Sequence, residues 1–95
     1  MGGIFMEEKF IAAWEKNRAE AEKIGVRMRP LDVKGAKRVL SGHRDSDGFG
    51  YLARKGRLDL SLEALAVDKR FTGLFTDEEA NNALMRLLDA GYRFK

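Results

Sequence analysis

Glycines divide this chain into segments whose apolar residues recur at steps of three and four. Gly25, Gly42, Gly56 and Gly91 each follow such a segment. A step of three and four residues is the period of an amphipathic helix. Glycine just past the last turn commonly ends a helix, because it adopts the left-handed conformation without strain. The pattern predicts a series of short helices joined by tight turns.

The two ends of the chain carry the strongest helical patterns. Residues 6–24 place one apolar stripe along a helix, made of Met6, Phe10, Ala13, Trp14, Ala21 and Ile24. Near the other end, Thr76 followed by Glu79 forms the capping-box pattern, with acidic residues where the helix dipole favours them. The stripe of this last helix is Ala80, Ala83, Leu84, Leu87 and Leu88.

The middle of the chain predicts shorter elements. Residues 26–29 alternate apolar and basic residues, which indicates an extended link before Pro30. Asp32 is placed to cap a helix over 33–41, with Val33, Ala36, Val39 and Leu40 inward, and Ser61 is placed to start another. Phe71, Leu74 and Phe75 then lie in a short turn.

Residues 49–62 allow two interpretations. With Ser46 as cap and Phe49, Leu52 and Ala53 on one face, the segment forms a short helix ending at Gly56. Alternation of Phe49 with Tyr51, and of the leucines at 58, 60 and 62, instead describes a small β-hairpin. We favour the helix, because a two-stranded ribbon alone is marginally stable.

A chain of 95 residues has room for one hydrophobic core. We therefore expect a single all-α domain over residues 1–95, a compact bundle of about five short helices. Residues 1–5 are expected to be a disordered leader, with Met6 as an alternative start. The aromatic tail at Tyr92 and Phe94 is expected to fold back on the core.

Positive charge is concentrated in the central segment, residues 27–57. This segment holds nine Lys or Arg against three Asp, a net charge of +6. The flanking segments are mildly acidic, so the whole chain has a formal net charge of +3. Such a distribution is typical of a surface that meets a polyanion or an acidic protein. The candidate binding residues are Arg27, Arg29, Lys34, Lys37, Arg38, Arg44, Arg54, Lys55 and Arg57.

Several motifs in the same segment resemble catalytic or ligand sites. The run from His43 to Gly48 contains His, Asp and Ser, but neighbours in sequence rarely form a catalytic triad. As a calcium loop, Asp45-x-Asp47-Gly48 would need a carboxylate where Arg54 stands. The G-x-G-x-x-A pattern from Gly48 lacks a preceding buried strand. A helix-turn-helix around Gly42 would place Arg38 at its tight packing position.

Composition excludes further classes of site. The chain has no cysteine, which removes disulfides, thiolate zinc sites and cysteine nucleophiles, and it has one histidine. No apolar run approaches the roughly 20 residues that cross a bilayer. We expect a cytoplasmic, non-enzymatic protein with no cofactor and no metal.

These observations lead to two functional hypotheses. The first is a small binding module whose basic segment 27–57 contacts nucleic acid, DNA or RNA, through phosphates with little base readout. The alternative is an interaction or inhibitor protein that docks on a larger partner with an acidic surface. Nine aromatic rings are many for this size, so a homodimer through exposed rings is also left open.

Overall fold

The structure is a computed structural model that describes residues 2–42 and 44–93, with side chains from residue 6 onward. The expectations for His43 and Phe94 fall outside this part of the chain. The described residues form five α-helices and no β-strand. The helices are α1 (Gly2–Lys23), α2 (Val33–Ser41), α3 (Phe49–Arg54), α4 (Leu62–Ala66) and α5 (Asp77–Asp89), with 3₁₀ turns at Leu58–Leu60 and Lys69–Leu74. The all-α prediction is confirmed, and the β-hairpin alternative is wrong.

Local capping explains where three of these helices begin. Asp32 accepts a hydrogen bond from the Gly35 amide, and Ser61 accepts one from Ala64. Thr76 and Glu79 form the complete capping box at α5. Each cap satisfies a backbone N–H that has no partner within its own helix. The predicted starts of these three helices are therefore confirmed.

The hydrophobic core lies between α1 and the helices and turns that follow it. Phe10 is fully buried and meets Phe71 and Phe75 edge to face, with ring centroids 5.5 Å apart in both pairs. Trp14, one turn further along α1, is also buried. Helix α5 packs against α4 and α2 on the other side of the core, through Ala83 and Leu87. Edge-to-face rings add a directional preference to the burial of apolar area.

Four details differ from the predicted boundaries and faces. Helix α1 begins at Gly2 rather than at Met6, while the expectation of a leader stays a prediction. Gly42 ends α2 with an extended conformation rather than a left-handed one. Ser46 does not cap α3, because its side chain bonds to Glu63, and Gly48 stands at that position. Leu88 is 51% exposed, because α4 and α2 pack against the part of α5 that carries Ala83 and Leu87.

The backbone conformation and the surroundings of residue 48 both require glycine. Its φ angle is +76°, in the left-handed region. A Cβ built on Gly48 would lie 2.7 Å from Cγ1 of Val26, a core residue. The loop before α3 can therefore pack over the link between α1 and α2 only with glycine at this point. Gly50, in the first turn of α3, has nothing within 4 Å of such a Cβ.

We expect Gly48→Ala to lower the free energy of unfolding by about 2 to 5 kcal/mol, the sum of left-handed strain and overpacking. Gly50→Ala, the matched control two residues away, should leave stability unchanged or raise it by about 0.5 kcal/mol. Urea denaturation followed by circular dichroism measures both. Equal effects of the two substitutions would contradict the close approach of Gly48 to Val26.

Candidate binding site: an arginine-lined groove

A groove of about 450 Å³ opens between the link after α1, the helix α2 and the loop that follows α2. We call it the arginine groove. It is lined by Trp14, Arg29, Leu31, Arg38, Val39, Gly42, Arg44, Asp45, Ser46 and Asp47. Three of the nine predicted binding residues, namely Arg29, Arg38 and Arg44, therefore meet at one site although they come from three different segments.

The floor of the groove is apolar and firmly held. Leu31 and Val39 are half-buried, and both pack against the core. Trp14 is buried beneath them, and its indole Nε1 donates a hydrogen bond of 2.8 Å to the Arg29 carbonyl oxygen. This bond satisfies the one polar group of the indole and fixes the backbone that carries Arg29. The position of Arg29 at the groove is therefore set by the core.

The rim of the groove carries charges of both signs. Arg29 Nε lies 3.0 Å from a carboxylate oxygen of Asp47, and both side chains are well exposed. Arg38 and Arg44 are exposed, and no carboxylate among residues 2–42 and 44–93 lies within ion-pair distance of either. Asp45 stands beside them on the rim. The groove thus offers two guanidinium groups that have no ion pair with a described residue, above an apolar floor.

Lys37 has a different position from the one that the sequence suggested. Its Nζ lies 2.8 Å from Oε1 of Glu79 and donates to the Leu74 carbonyl oxygen at 3.1 Å. It also lies 5.8 Å from the centroid of the Phe75 ring. Lys37 therefore joins α2 to the start of α5. Its charge is balanced by Glu79 and lies over the Phe75 ring.

The remaining five basic residues lie outside the groove. Arg57 pairs with Asp59 at 3.1 Å, and Arg54 stacks over the Tyr51 ring. Arg27 lines a separate shallow cleft with Arg18 and Glu22. Lys34 and Lys55 are exposed. The nine residues thus divide between the groove, one internal ion pair and scattered surface positions.

Glu79 is the acidic partner of Lys37, and its pKa reflects two opposing effects. Burial favours the neutral acid and alone would raise the pKa. The hydrogen bond from Lys37, the bond from the Thr76 amide and the charge of Lys37 outweigh burial. The pKa of Glu79 is therefore below its ordinary value. The ionised form is the one that completes the capping box and the ion pair.

A buried polar cluster holds the loop that carries Arg44. The Glu63 side chain is fully buried in α4. Its Oε2 accepts a hydrogen bond of 2.9 Å from the Ser46 amide, and its Oε1 accepts one from the Ser46 hydroxyl. Arg86 of α5 completes the cluster, with Nη1 at 3.3 Å from Glu63 Oε2. A buried carboxylate is tolerated only with such partners.

Arg86 also closes the end of α2. Its Nη2 donates to the carbonyl oxygens of Gly42 and Leu40, at 2.5 and 3.4 Å, and Nη1 approaches that of Val39. Asn82 Nδ2, one turn earlier on α5, donates to the Leu40 oxygen at 3.0 Å. The last carbonyl groups of a helix have no partner within it, so α5 supplies these donors from its side chains. Arg86 thereby holds the loop that follows α2 at two points, directly at Gly42 and through Glu63 at Ser46.

Sequence reasoning did not single out Glu63 or Arg86. Glu63 stands among Leu62, Leu65 and Ala66, all of which are buried with it. An acidic residue whose neighbours on every side are core residues is the signal that could have identified it, because such a charge needs a buried partner. Nothing in the pattern around Arg86 indicates its role.

Two further findings bear on the class of site. The described residues contain no cluster of three or more His, Cys, Asp or Glu side chains that could hold a metal ion. None of the described helices is both long enough and apolar enough to span a membrane. Comparison with known proteins found no match to a family model, to a curated protein or to a solved structure.

We expect Glu79→Gln to lower stability most at neutral pH. Because the pKa of Glu79 is depressed in the folded state, its ionisation contributes stability above the ordinary value of about 4.5, and this is lost as pH falls through the lower folded pKa. The gap in free energy of unfolding between wild type and Glu79→Gln should therefore shrink between about pH 6 and pH 3. Urea denaturation across this range measures it, and a constant gap would contradict the assignment.

Proposed function

We propose that this protein is a non-enzymatic binding module whose arginine groove holds a nucleic acid through its phosphates, with little readout of base sequence. The observation that carries the proposal is the meeting of Arg38 and Arg44 at one groove, with no carboxylate of the described residues in ion-pair distance of either. Guanidinium groups bind phosphate oxygens through paired, charge-assisted hydrogen bonds.

The dimensions of the groove favour a short single-stranded segment. A volume of about 450 Å³ is in the range of small-ligand pockets and far smaller than a duplex. Leu31 and Val39 on the floor would contact the face of an unpaired base, while the arginines on the rim contact phosphates on either side. If Arg29, Arg38 and Arg44 each neutralise one phosphate, log K should fall against log salt with a slope of about −2.

Exposed cations outside the groove add to the attraction. Arg27, Lys34 and Lys55 are exposed, and none has an ion pair with a described acidic residue. They raise the positive potential of the central segment without defining a site. Their contribution would speed association and would be lost at moderate salt.

An acidic protein segment is a second candidate ligand, and the rim of the groove favours it on one point. Asp45 and Asp47 stand on the rim beside the arginines, and carboxylates repel phosphates. A peptide with an acidic side chain next to an apolar one would pair with Arg38 or Arg44 and place its apolar group on Leu31 and Val39. Its backbone N–H groups could donate to the two aspartates.

We expect the double substitution Arg38→Glu with Arg44→Glu to weaken binding of single-stranded DNA or RNA at least tenfold and to flatten the salt slope by about 1.5, because two phosphate contacts are lost. The matched control is Lys9→Glu with Lys16→Glu, which makes the same change of net charge at exposed positions of α1. Fluorescence anisotropy with labelled oligonucleotides at several salt concentrations measures all three proteins.

Two outcomes would contradict the nucleic-acid proposal. An equal loss of affinity in the control would mean that net charge, and not the groove, attracts the oligonucleotide. No binding by the wild type even at about 50 mM salt would remove nucleic acid as the ligand, since phosphate contacts are strongest there. A labelled acidic peptide with alternating Asp and Leu, titrated under the same conditions, then tests the second candidate against the same variants.

A further inference from the structure

An ion pair joins two walls of the arginine groove. Arg29 belongs to the link between α1 and α2, and Asp47 belongs to the loop that follows α2. The Arg29 Nε lies 3.0 Å from Oδ2 of Asp47, and the two side chains are 80% and 51% exposed. An ion pair this exposed gains little from charge attraction, because water screens it. The pair therefore depends on how the backbone of each residue is placed.

The backbone on both sides of Asp47 is held beside the segment that carries Arg29. Before Asp47, the Ser46 amide and hydroxyl donate to the buried carboxylate of α4. After it, Gly48 packs so closely on the link that a Cβ built there would lie 2.7 Å from Cγ1 of Val26. The backbone of Arg29 is itself fixed by the indole hydrogen bond. The fold thus presents the carboxylate to the guanidinium before any ligand arrives.

The other two arginines of the groove have no such partner. No carboxylate of residues 2–42 and 44–93 lies within ion-pair distance of Arg38 or Arg44. A phosphate can therefore approach either guanidinium without displacing a carboxylate. At Arg29 the phosphate must displace Asp47 or bind beside it, and the two anions repel each other. The three arginines are thus not equivalent for an anionic ligand.

We infer that Asp47 withholds Arg29 from the ligand, so that the groove of the wild-type protein neutralises two phosphates of a single strand and not three. This inference rests on the proposed function and names the residue that limits affinity at that site. Each phosphate contact on a single strand contributes about −0.7 to the slope of log K against log salt. The wild-type slope should accordingly be about −1.4, and the slope of about −2 that three contacts give should require the loss of the Asp47 charge.

Asp47→Asn tests the inference, because it removes the charge and keeps the size of the side chain. We expect it to steepen the slope by about 0.7 and to raise affinity about fivefold at about 0.1 M salt, the effect of one further phosphate contact. Fluorescence anisotropy with a labelled single-stranded DNA of about eight nucleotides measures both quantities, since that length is within the usual range of site sizes. Circular dichroism should show the same helix content in both proteins, because an exposed ion pair contributes little to stability.

Matched variants separate the ion pair from the effect of charge alone. Asp45→Asn removes the other carboxylate on the rim, which has no ion pair with a described residue, so affinity should rise less and the slope should stay near the wild-type value. Glu7→Gln makes the same change of charge at an exposed position of α1 and should leave both quantities nearly unchanged. In the Asp47→Asn protein, Arg29→Ala should return the slope to the wild-type value, since it removes the guanidinium that was set free.

Failure of the ion-pair inference and failure of the proposed function give different results. Oligonucleotide binding with equal slopes in the wild type and in Asp47→Asn would overturn the inference and leave the proposed function in place. A steeper slope that Arg29→Ala does not reverse would also overturn it, because another group would then make the third contact. Absence of binding by both the wild type and Asp47→Asn at about 50 mM salt would overturn the inference and the proposed function together.

Discussion

A carboxylate with no access to solvent anchors two of the three segments that build the groove, the end of α2 and the loop that follows it. Glu63 of α4 accepts hydrogen bonds from the amide and hydroxyl of Ser46, and it pairs with Arg86 of α5. Removing such a charge from water costs several kcal/mol, so it is stable only while its partners stay in place. Arg86 in turn binds the carbonyl groups at the end of α2. The loop between α2 and α3 therefore cannot move away without removing two hydrogen bonds from the buried carboxylate.

This constraint helps to fix the positions of the arginines on which the proposed function depends. Arg44 lies in the loop that Ser46 anchors, Arg38 lies on the helix that Arg86 closes, and Arg29 is held through Trp14. The three arginine side chains are flexible, but the backbone that carries each of them is fixed. Fixed backbone lowers the entropy cost of binding an anionic segment, because little more than the side chains must be ordered.

The features that sequence predicted well are those decided by local contacts. The caps at Asp32, Ser61 and Thr76 each join a side chain to an amide three residues away, so a short window contains both partners. The errors arise from distant contacts. Ser46 is predicted from the sequence to cap α3, but its side chain bonds to Glu63, 17 residues further along the chain. Leu88 fits the periodic stripe, yet only the arrangement of α2 and α4 decides which part of it is buried.

Hydrogen exchange of the Ser46 amide, followed by NMR, tests the central claim most directly. The amide lies in a loop, donates to the Glu63 carboxylate and has no backbone acceptor among residues 2–42 and 44–93, so its protection reports on that bond. We predict that it exchanges as slowly as the core amides of α5, since it opens only when the buried cluster does. The amides of Arg44 and Asp45, in the same loop, should exchange quickly. Exchange of Ser46 as fast as theirs would contradict the buried anchor on which the groove depends.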